Sequence, residues 1–511
     1  MEPADADAGI DLAELLAAFS LATDLGLGQP MEHVLRSWRI AERLAERMRL
    51  PEEERQALFH VSMLGWVGCI ADSPEVAASF GDDIAFRADS YEVDLAGPAG
   101  FGFFLRRAGR GGALWHRFRV ASTILASGGQ HVVQGMQSHC VTTSALAERL
   151  ELGPGVARAL RQFFTRWDGR GVPHGVGGAD IAPTIRLLHL ADVVEVRYRT
   201  GGIEGAVEVA RARRGRQFAP DVVDAFVAHA PEVLSGDGID LPRLRPLTQG
   251  ELDSALEALA DFTDLRCATR AGHSRGVAEL AGAAARSIGL PTADVIATRR
   301  AGLLHDIGLH GVPVTVLEQP GPLSATDWER VRLSSYYTER VLARPAALAR
   351  PGAIAAMAHE RMDGGGYHRG LSGAALPMTG RVLAAACAYR AMLEPRAHRA
   401  ALSDKQAVLA VREAIRAGAL DGDAAEAVLS AAGNGTRRRV SGPAGLTPRE
   451  VEVLVLISRG AQTGEVAERL GISRKTAGTH IERIYTKTGA SSRSTATLFA
   501  LRNGLLDPLD L

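Results

Sequence analysis

Apolar residues recur along most of the chain with the period of an α-helix. Between Ile40 and Met48, for example, apolar positions fall three and four residues apart, with charged residues between them. This spacing places the apolar side chains on one face of a helix. Alternating runs rich in β-branched residues, which would predict strands, are nearly absent. The pattern therefore predicts an all-α protein.

Three stretches rich in Gly, Pro and Arg interrupt the helical pattern, at 97–112, 235–250 and 433–445. Such residues mark turns and loops. A chain of 511 residues is also longer than a typical domain of about 50 to 250 residues. We predict a first helical domain over 10–234, a second over 250–432, a linker over 433–445 and a small C-terminal domain over 446–508.

The two large predicted domains resemble each other. Self-similarity aligns His33 with His273, 63–68 with 303–308 and, in another register, 166–171 with 361–366. Repeated matches of this kind are typical of a duplicated unit. The change of register indicates extra residues in the first copy, which we place at the Gly-rich stretch near Phe101.

The C-terminal stretch carries start and stop signals for short, closely spaced helices. Thr447 and Glu450 form a capping pattern, Gly471 supplies a left-handed stop after a helix at 465–470, and Ser473 caps a helix that runs to Lys487. Residues 437–511 contain twelve Lys and Arg against seven Asp and Glu, whereas the whole chain has a net charge of −1. A basic helix-turn-helix predicts double-stranded DNA as a partner.

This segment resembles the LuxR-type helix-turn-helix domain over 446–487, with departures at Gly464, Val466 and Ala477. The resemblance implies a fourth helix near 493–501 that makes a homodimer on DNA. The residues expected to contact DNA are Ser473, Lys475, Thr476, Thr479, His480 and Lys487. The alternative is that these residues form only the solvated face of a helical hairpin.

The second copy contains adjacent His305 and Asp306, followed later by the glycine-rich run 359–370. With these residues the chain resembles the HD superfamily of metal-dependent phosphohydrolases, and specifically its HD-GYP branch, which hydrolyses cyclic di-nucleotides. The resemblance implies that the metal ligands are His273, His305, Asp306 and His359. Other ligand positions have changed, since Ser334, Ala358 and Cys387 stand where the family has His, His and Asp, and Leu309 replaces a lysine.

Loss of about half the donors implies no catalytic residues and at most one divalent ion, iron or manganese, in the second copy. The alternative is that His273, His305 and Asp306 are remnants, hydrogen-bonded among themselves. The first copy keeps His33, His139 and Asp192, but it has Gly65-Trp66 and Phe164-Thr165 where the second has His305-Asp306 and His359-Glu360.

The DNA-binding motif is intact, whereas the hydrolase site has lost ligands. This combination favours a DNA-binding transcription regulator whose two copies sense a ligand or partner and dimerise. The alternatives are a phosphohydrolase acting on a cyclic di-nucleotide or another phosphoester, with DNA binding as its output, and a platform for protein interaction. A small anionic or nucleotide ligand is expected at Arg361, Asp363, Tyr367 and Arg369.

Composition adds few constraints. A hydrophobic content of 46% and a charged content of 23% are ordinary for globular proteins. The four cysteines are scattered without a C-x-x-C pair, which favours reduced thiols and a cytoplasmic protein. The chain has no apolar run of the roughly 20 residues that a membrane span requires, so we expect no contact with a membrane.

Overall fold

The computed structural model describes residues 9–127, 129–236, 238–433, 444 and 446–506. Throughout these residues the regular structure is helical, and β-pairing is limited to isolated bridges such as Phe164 with Val172. The prediction of an all-α protein is confirmed. None of the described helices is both long and apolar enough to cross a membrane. The chain divides into two compact units, one of them Asp11–Leu247 and the other beginning at Thr248.

The first unit corresponds to the first copy. Its helices are α1 (Leu12–Gly26), α2 (His33–Arg47), α3 (Glu52–Leu64), α4 (Gly68–Ala71), α5 (Ser73–Phe80), α6 (Asp83–Ser90), α7 (Gly97–Arg107), α8 (Leu114–Ser127), α9 (Gln130–Arg149), α10 (Pro154–Leu160), α11 (Pro183–Arg213) and α12 (Pro220–Leu234). Helix α2 packs against α3 and α11 and forms the centre of the unit.

The second unit contains the second copy and the C-terminal domain. The helices of the copy are α13 (Gln249–Asp264), α14 (His273–Ser287), α15 (Thr292–Leu304), α16 (Val314–Leu317), α17 (Ala325–Leu342), α18 (Ala349–Ala355), α19 (Met378–Leu393), α20 (Asp404–Arg416) and α21 (Gly422–Ala432). The C-terminal domain consists of α22 (Pro448–Ser458), α23 (Thr463–Leu470), α24 (Arg474–Thr488) and α25 (Arg493–Arg502). Most of the predicted linker 433–445, with its three arginines, lies outside the described residues.

Helices α2 and α14 begin in the same way. Each follows a residue in the left-handed conformation, Glu32 with φ 74° and Gly272 with φ 78°. In both copies a buried aspartate accepts the backbone N–H near the start of the helix, from Val34 to Asp24 at 3.0 Å and from Ser274 to Asp264 at 2.8 Å. As α2 packs on α3 and α11, so α14 packs on α15 and α19. The two copies thus share a core of three helices.

The C-terminal domain has its own apolar core. Buried residues from all four of its helices form this core, among them Leu454, Val466, Ile484 and Ala500. Ala271, from the loop before α14, is buried in the same cluster. The C-terminal domain therefore packs directly on the second copy through the segment that precedes α14.

Candidate metal centre and nucleic-acid interface

Three buried side chains of the second copy converge on one point. His273 begins α14, His305 ends α15, and Cys387 lies within α19. One potential ligand atom from each lies within 4.8 Å of those from the other two. The three helices of the common core therefore bring together residues that are far apart in the chain.

The ring nitrogens of the two histidines are oriented by hydrogen bonds. The Nδ1–H of His273 donates to Glu394 at 2.8 Å, and that of His305 donates to the carbonyl of Gly302 at 2.8 Å. Both Nε2 atoms are buried without a hydrogen-bond partner among the described residues. A ligand histidine typically has one nitrogen held in this way and the other free for the metal.

The protonation states agree with this geometry. Burial, together with the nearby Arg270, lowers the pKa of His273 and His305 well below the usual range. Burial and Arg270 also lower the pKa of His359 to about 4. All three imidazoles are therefore neutral near pH 7, which is the form that binds a metal.

Asp306 carries the negative charge at this centre. Its carboxylate lies 3.3 Å from His305 Nε2, 3.6 Å from His273 Nε2 and 3.8 Å from His359 Nε2. The guanidinium of Arg270 forms an ion pair with the same carboxylate. A cation of the chain therefore competes with any metal ion for Asp306.

The positions at which the second copy departs from the family's ligands fall into two groups, those that cannot bind a metal and one that can. The Ser334 hydroxyl donates to the Val331 carbonyl at 2.6 Å, Ala358 has no donor atom, and Leu309 packs in a small apolar cluster. Cys387, interpreted as a lost ligand, lies beside both histidines instead. Burial raises the pKa of its thiol to about 11, and metal coordination would deprotonate it. The residues present fit one divalent ion rather than two.

In the expected ligand pocket, at residues 361–369, the charged side chains are paired with other side chains of the protein. Arg361 donates to Asp363 at 3.0 Å, while Arg369 pairs with Glu339. The ring of Tyr367 stacks on His359 with centroids 4.8 Å apart. Buried Glu360 accepts three backbone N–H groups of the following loop. The assignment of a ligand to this loop stays a prediction.

The corresponding centre of the first copy is closed by aromatic and charged groups. The indole N–H of Trp66, which aligns with Asp306, donates to Asp192 at 3.0 Å. His33 Nε2 lies 3.2 Å from the same carboxylate, and His33 Nδ1 lies 2.6 Å from Glu195. Although burial opposes it, hydrogen bonding to Asp192 and Glu195 raises the pKa of His33 to about 9. The ring is an imidazolium near pH 7 and has no lone pair for a metal.

Helices α23 and α24 form the predicted helix-turn-helix. Gly471 ends α23 in the left-handed conformation with φ 63°, and the hydroxyl of Ser473 accepts the Thr476 N–H at 3.1 Å at the start of α24. Lys475 and Thr476 are exposed, whereas Thr479 and His480 are half-buried. These residues form one end of α24, the end that enters the major groove in proteins of this architecture.

Comparison with known proteins identifies two kinds of domain in the chain. Residues 257–423 match the model for the HD domain, and residues 444–500 match the model for bacterial regulatory proteins of the luxR family. The second copy is an HD domain, and the C-terminal domain is LuxR-type. Both resemblances inferred from the sequence are thereby confirmed.

Relatives and a solved structure extend the match to the first copy. The chain is 28% identical over 416 residues to 3′3′-cGAMP-specific phosphodiesterase 3 of Vibrio cholerae serotype O1, covering 79% of this chain and 90% of the relative. It is 31% identical to 3′3′-cGAMP-specific phosphodiesterase 1 of that organism, over 34% of this chain and 40% of the relative. A crystal structure of a cyclic GMP-AMP specific phosphodiesterase from V. cholerae superposes with a TM-score of 0.58 and 26% identity, covering 84% of this chain and 99% of that one.

The LuxR-type domain has a separate relative. Over 60 residues the chain is 42% identical to the uncharacterized transcriptional regulatory protein YxjL of Bacillus subtilis, which corresponds to 12% of this chain and 28% of the relative.

Three basic residues of the LuxR-type domain differ from the sequence-based assignment. Arg474 and Arg483 are exposed on α24 and form no ion pair among the described residues, although neither was predicted to contact DNA. Their alignment with Lys475 along one helix was the signal. Lys487, by contrast, donates to Glu450 at 2.7 Å, where it ties the end of α24 to the capping box of α22.

The HD domain and the LuxR-type domain meet at the segment 268–271. A Cβ on Gly460 of the LuxR-type domain would lie 3.3 Å from the side chain of Thr269, and α25 packs near α13. Arg270 of the same segment holds Asp306 in the metal centre. One short segment therefore contacts the candidate metal centre and the DNA-binding domain.

Proposed function

We propose that the protein is a DNA-binding transcription regulator whose HD-like copies sense a ligand or a partner and which acts as a homodimer. One observation carries the proposal. Helix α24 carries exposed cations at Arg474, Lys475 and Arg483 that form no ion pair among the described residues. The candidate metal centre of the HD domain, by contrast, has lost donors and pairs its Asp306 with Arg270.

The chemistry of α24 suits a DNA site. Lysine and arginine bind guanine edges and phosphates, and threonine accepts or donates to either. In this arrangement Lys475, Thr476 and Thr479 read base edges, and the exposed Arg483 meets the phosphate backbone. Ser473 and His480 lie beside them. Helix α25 supplies the dimer contact, as the resemblance implies, so the operator has two half-sites.

Sensing by the HD domain is supported by the segment 268–271. Because Arg270 is bound to Asp306 while Ala271 lies in the core of the LuxR-type domain, a change in the charge at Asp306 alters a segment that packs on the DNA-binding domain. Such coupling requires that the ligand bind two arrangements with different affinities.

The Lys475→Ala variant tests DNA binding. We expect the full chain to bind a duplex selected from a random pool, and the variant to bind it about tenfold more weakly because one phosphate or base contact is lost. Fluorescence anisotropy at fixed salt measures the affinity. Lys405→Ala removes the same charge from the exposed face of α20 and should bind as tightly as the unaltered protein. Equal affinity of both variants would contradict the proposal.

A phosphohydrolase is the second candidate. The free Nε2 atoms of His273 and His305 favour it, because together with Cys387 and Asp306 they would hold one divalent ion. Such an ion lowers the pKa of bound water. We expected iron or manganese, and the thiol of Cys387 favours iron or zinc among the softer ions. The substrate would be 3′3′-cGAMP or another phosphoester, with its anionic groups near Arg361, Asp363, Tyr367 and Arg369.

Turnover tests this candidate directly. The purified full chain is incubated with 3′3′-cGAMP and with a generic phosphodiester in the presence of added manganese, iron or zinc. Turnover that His305→Ala abolishes would support the enzyme, with DNA binding as its output. No turnover with any of these metals would favour a regulator whose HD domain has lost catalysis.

A further inference from the structure

The first copy contains a partly open cavity of about 410 Å³ next to its altered centre. This volume lies in the range of about 300 to 1,000 Å³ that is usual for small-molecule sites. Aromatic side chains form much of its wall, namely Trp66, Phe101, Phe104, Phe163 and Phe164. The walls therefore suit an apolar body.

The cavity is lined by α7, which lies in the Gly-rich stretch where we place the extra residues of the first copy, and by α8 and α9. Phe101 and Phe104 come from α7, Ile124 comes from α8, and Val132, Val133 and Met136 come from α9. The opposite wall is the altered centre itself, where Trp66 stands at the position of Asp306. The indole of Trp66 adds apolar surface beside the charged Asp192 and His33.

One charged side chain in the wall, Arg213, forms no direct ion pair within the part of the chain that the structure describes. Arg213 is 9% exposed, and its guanidinium donates to the neutral amide oxygen of Gln217 at 3.0 Å. Among the described residues it forms no ion pair with a carboxylate. An arginine stays protonated even when buried, and burial lowers the pKa of Arg213 more than the charges of Asp94 and Glu92 raise it. Its charge is therefore only partly compensated, which is costly unless a bound anion balances it.

The other charges that line the cavity do not cancel this one. Arg166 is matched by Asp94, with hydrogen bonds of 2.6 and 3.2 Å. Asp192 is engaged by Trp66 and His33. Arg170 at the edge of the cavity is exposed and forms no side-chain ion pair among the described residues. In the described part of the chain the lining therefore contributes three arginines, Arg166, Arg170 and Arg213, against one aspartate, and two further carboxylates, Asp94 and Asp168, are paired with Arg166.

We propose that this cavity binds an amphipathic anion, with a carboxylate or phosphate head group at Arg213 and an apolar body against the aromatic walls. This inference rests on the proposed function, because it assigns the signal to the first copy. The two head groups share the same chemistry, since arginine pairs with both in a bidentate way. A flexible or aromatic hydrocarbon body would pack against the aromatic part of the wall.

Isothermal titration calorimetry of the full chain without DNA tests the cavity. The probes are decanoate, decyl phosphate and uncharged decanol, with 3′3′-cGAMP as a further arm. We expect at least one of the two anions to bind one equivalent per chain and decanol to bind about tenfold more weakly or not at all, because a hydrogen bond to a charged group is lost. The stronger of the two anions identifies the head group. Decanol binding as tightly as both anions, or 3′3′-cGAMP binding and competing with them, would overturn the proposal.

Variants locate the site. Arg213→Gln should weaken binding of the preferred anion about tenfold or more, and Arg213→Lys should restore part of it. Arg216→Gln, three residues away and exposed, removes a guanidinium that donates only to the Ala212 carbonyl and should leave binding unchanged. Val133→Trp should block binding by filling the cavity. Equal binding by Arg213→Gln and the unaltered protein would exclude the site.

The outcomes separate this inference from the proposed function. Anion binding without any change in affinity for DNA would retain the cavity and contradict sensing. Loss of DNA binding in the chain as a whole would leave the calorimetric result intact, because that experiment contains no DNA.

Discussion

The first histidine of the common core has opposite properties in the two copies. His33 and His273 begin equivalent helices, and in each the Nδ1 atom contacts a buried carboxylate. The pKa of His33 is raised to about 9, whereas that of His273 is lowered well below the usual range. At His33, hydrogen bonds to Asp192 and Glu195 outweigh burial. At His273, burial and the charge of Arg270 prevail although Asp306 lies 3.6 Å from its Nε2. The neighbours, and not the histidine itself, decide whether the centre can accept a metal.

The ion pairs beside the two core histidines show how the two copies can diverge and still keep the same fold. In α11, Glu195 pairs with Arg199 one turn later, and in α19 Arg390 pairs with Glu394 in the reverse order. Both arrangements place a carboxylate on Nδ1 of the core histidine. The duplication has therefore kept the contact while exchanging which residue of the pair supplies it.

The largest expected effect concerns metal content. We expect one divalent ion per chain in protein purified without chelators. We expect complete loss of the ion in His305→Ala, because only two of the three converging side chains, His273 and Cys387, would then be left to hold it with Asp306. His33→Gln is the matched change in the first copy and should retain the ion. Mass spectrometry of the metal in both variants makes the measurement. Two ions per chain, or retention in His305→Ala, would contradict the contrast between the copies.

A smaller effect is expected from the charge on His33. Since its pKa is raised to about 9 from a usual value of 6.5, the protonated ring stabilises the first copy fully below pH 6.5, and this contribution is lost as the pH rises through about 9. At 1.4 kcal/mol per pH unit the loss is about 3 kcal/mol. Urea denaturation at pH values between 6 and 10 should show this loss of stability in the first copy. The fluorescence of the tryptophans in the first copy follows the unfolding.

The matched control is His33→Gln, which should have lower stability at pH 6 and a weaker dependence on pH over this range. His273→Gln should leave the dependence between pH 8 and pH 10 as in the unaltered protein, because folded His273 is neutral there and the unfolded ring titrates near its usual pKa of 6.5. An unchanged pH dependence in His33→Gln would show that the imidazolium does not contribute.

The smallest of these effects concerns Arg270. Removing its guanidinium in Arg270→Ala leaves Asp306 free for a metal ion and relieves repulsion of the cation, so we expect affinity for zinc or iron to rise about tenfold. Competition with a chromogenic chelator measures the change. Arg361→Ala, which removes an exposed arginine paired with Asp363, should have no effect. A fall in affinity on removing Arg270 would mean that this residue supports the centre instead of competing for it.

The helix-turn-helix could be predicted closely because its signals are local. Thr447 and Glu450 form the expected capping box, Gly471 ends α23, and Ser473 caps α24. The predicted fourth helix near 493–501 is α25. Each of these features depends on residues within a few positions of one another, so the sequence contains the information directly.

The metal centre was predictable only in part. The adjacency of His305 and Asp306 and the duplication identified the position of the centre. The position of Cys387 beside His273 and His305 was not predicted, because the residue was compared only with the aspartate it replaces. Arg270 gave no signal at all, since nothing in its local sequence indicates that its side chain reaches Asp306.

By itself, then, the sequence determined the helical class, the duplication and the DNA-binding domain, because periodicity, self-similarity and capping are properties of neighbouring residues. Only the tertiary structure decided which copy keeps a neutral histidine, where Arg270 and Cys387 lie, and that α7, α8 and α9 enclose a cavity beside Trp66. The physical reason is that protonation, ion pairing and cavity formation depend on distances between helices that are remote in the chain.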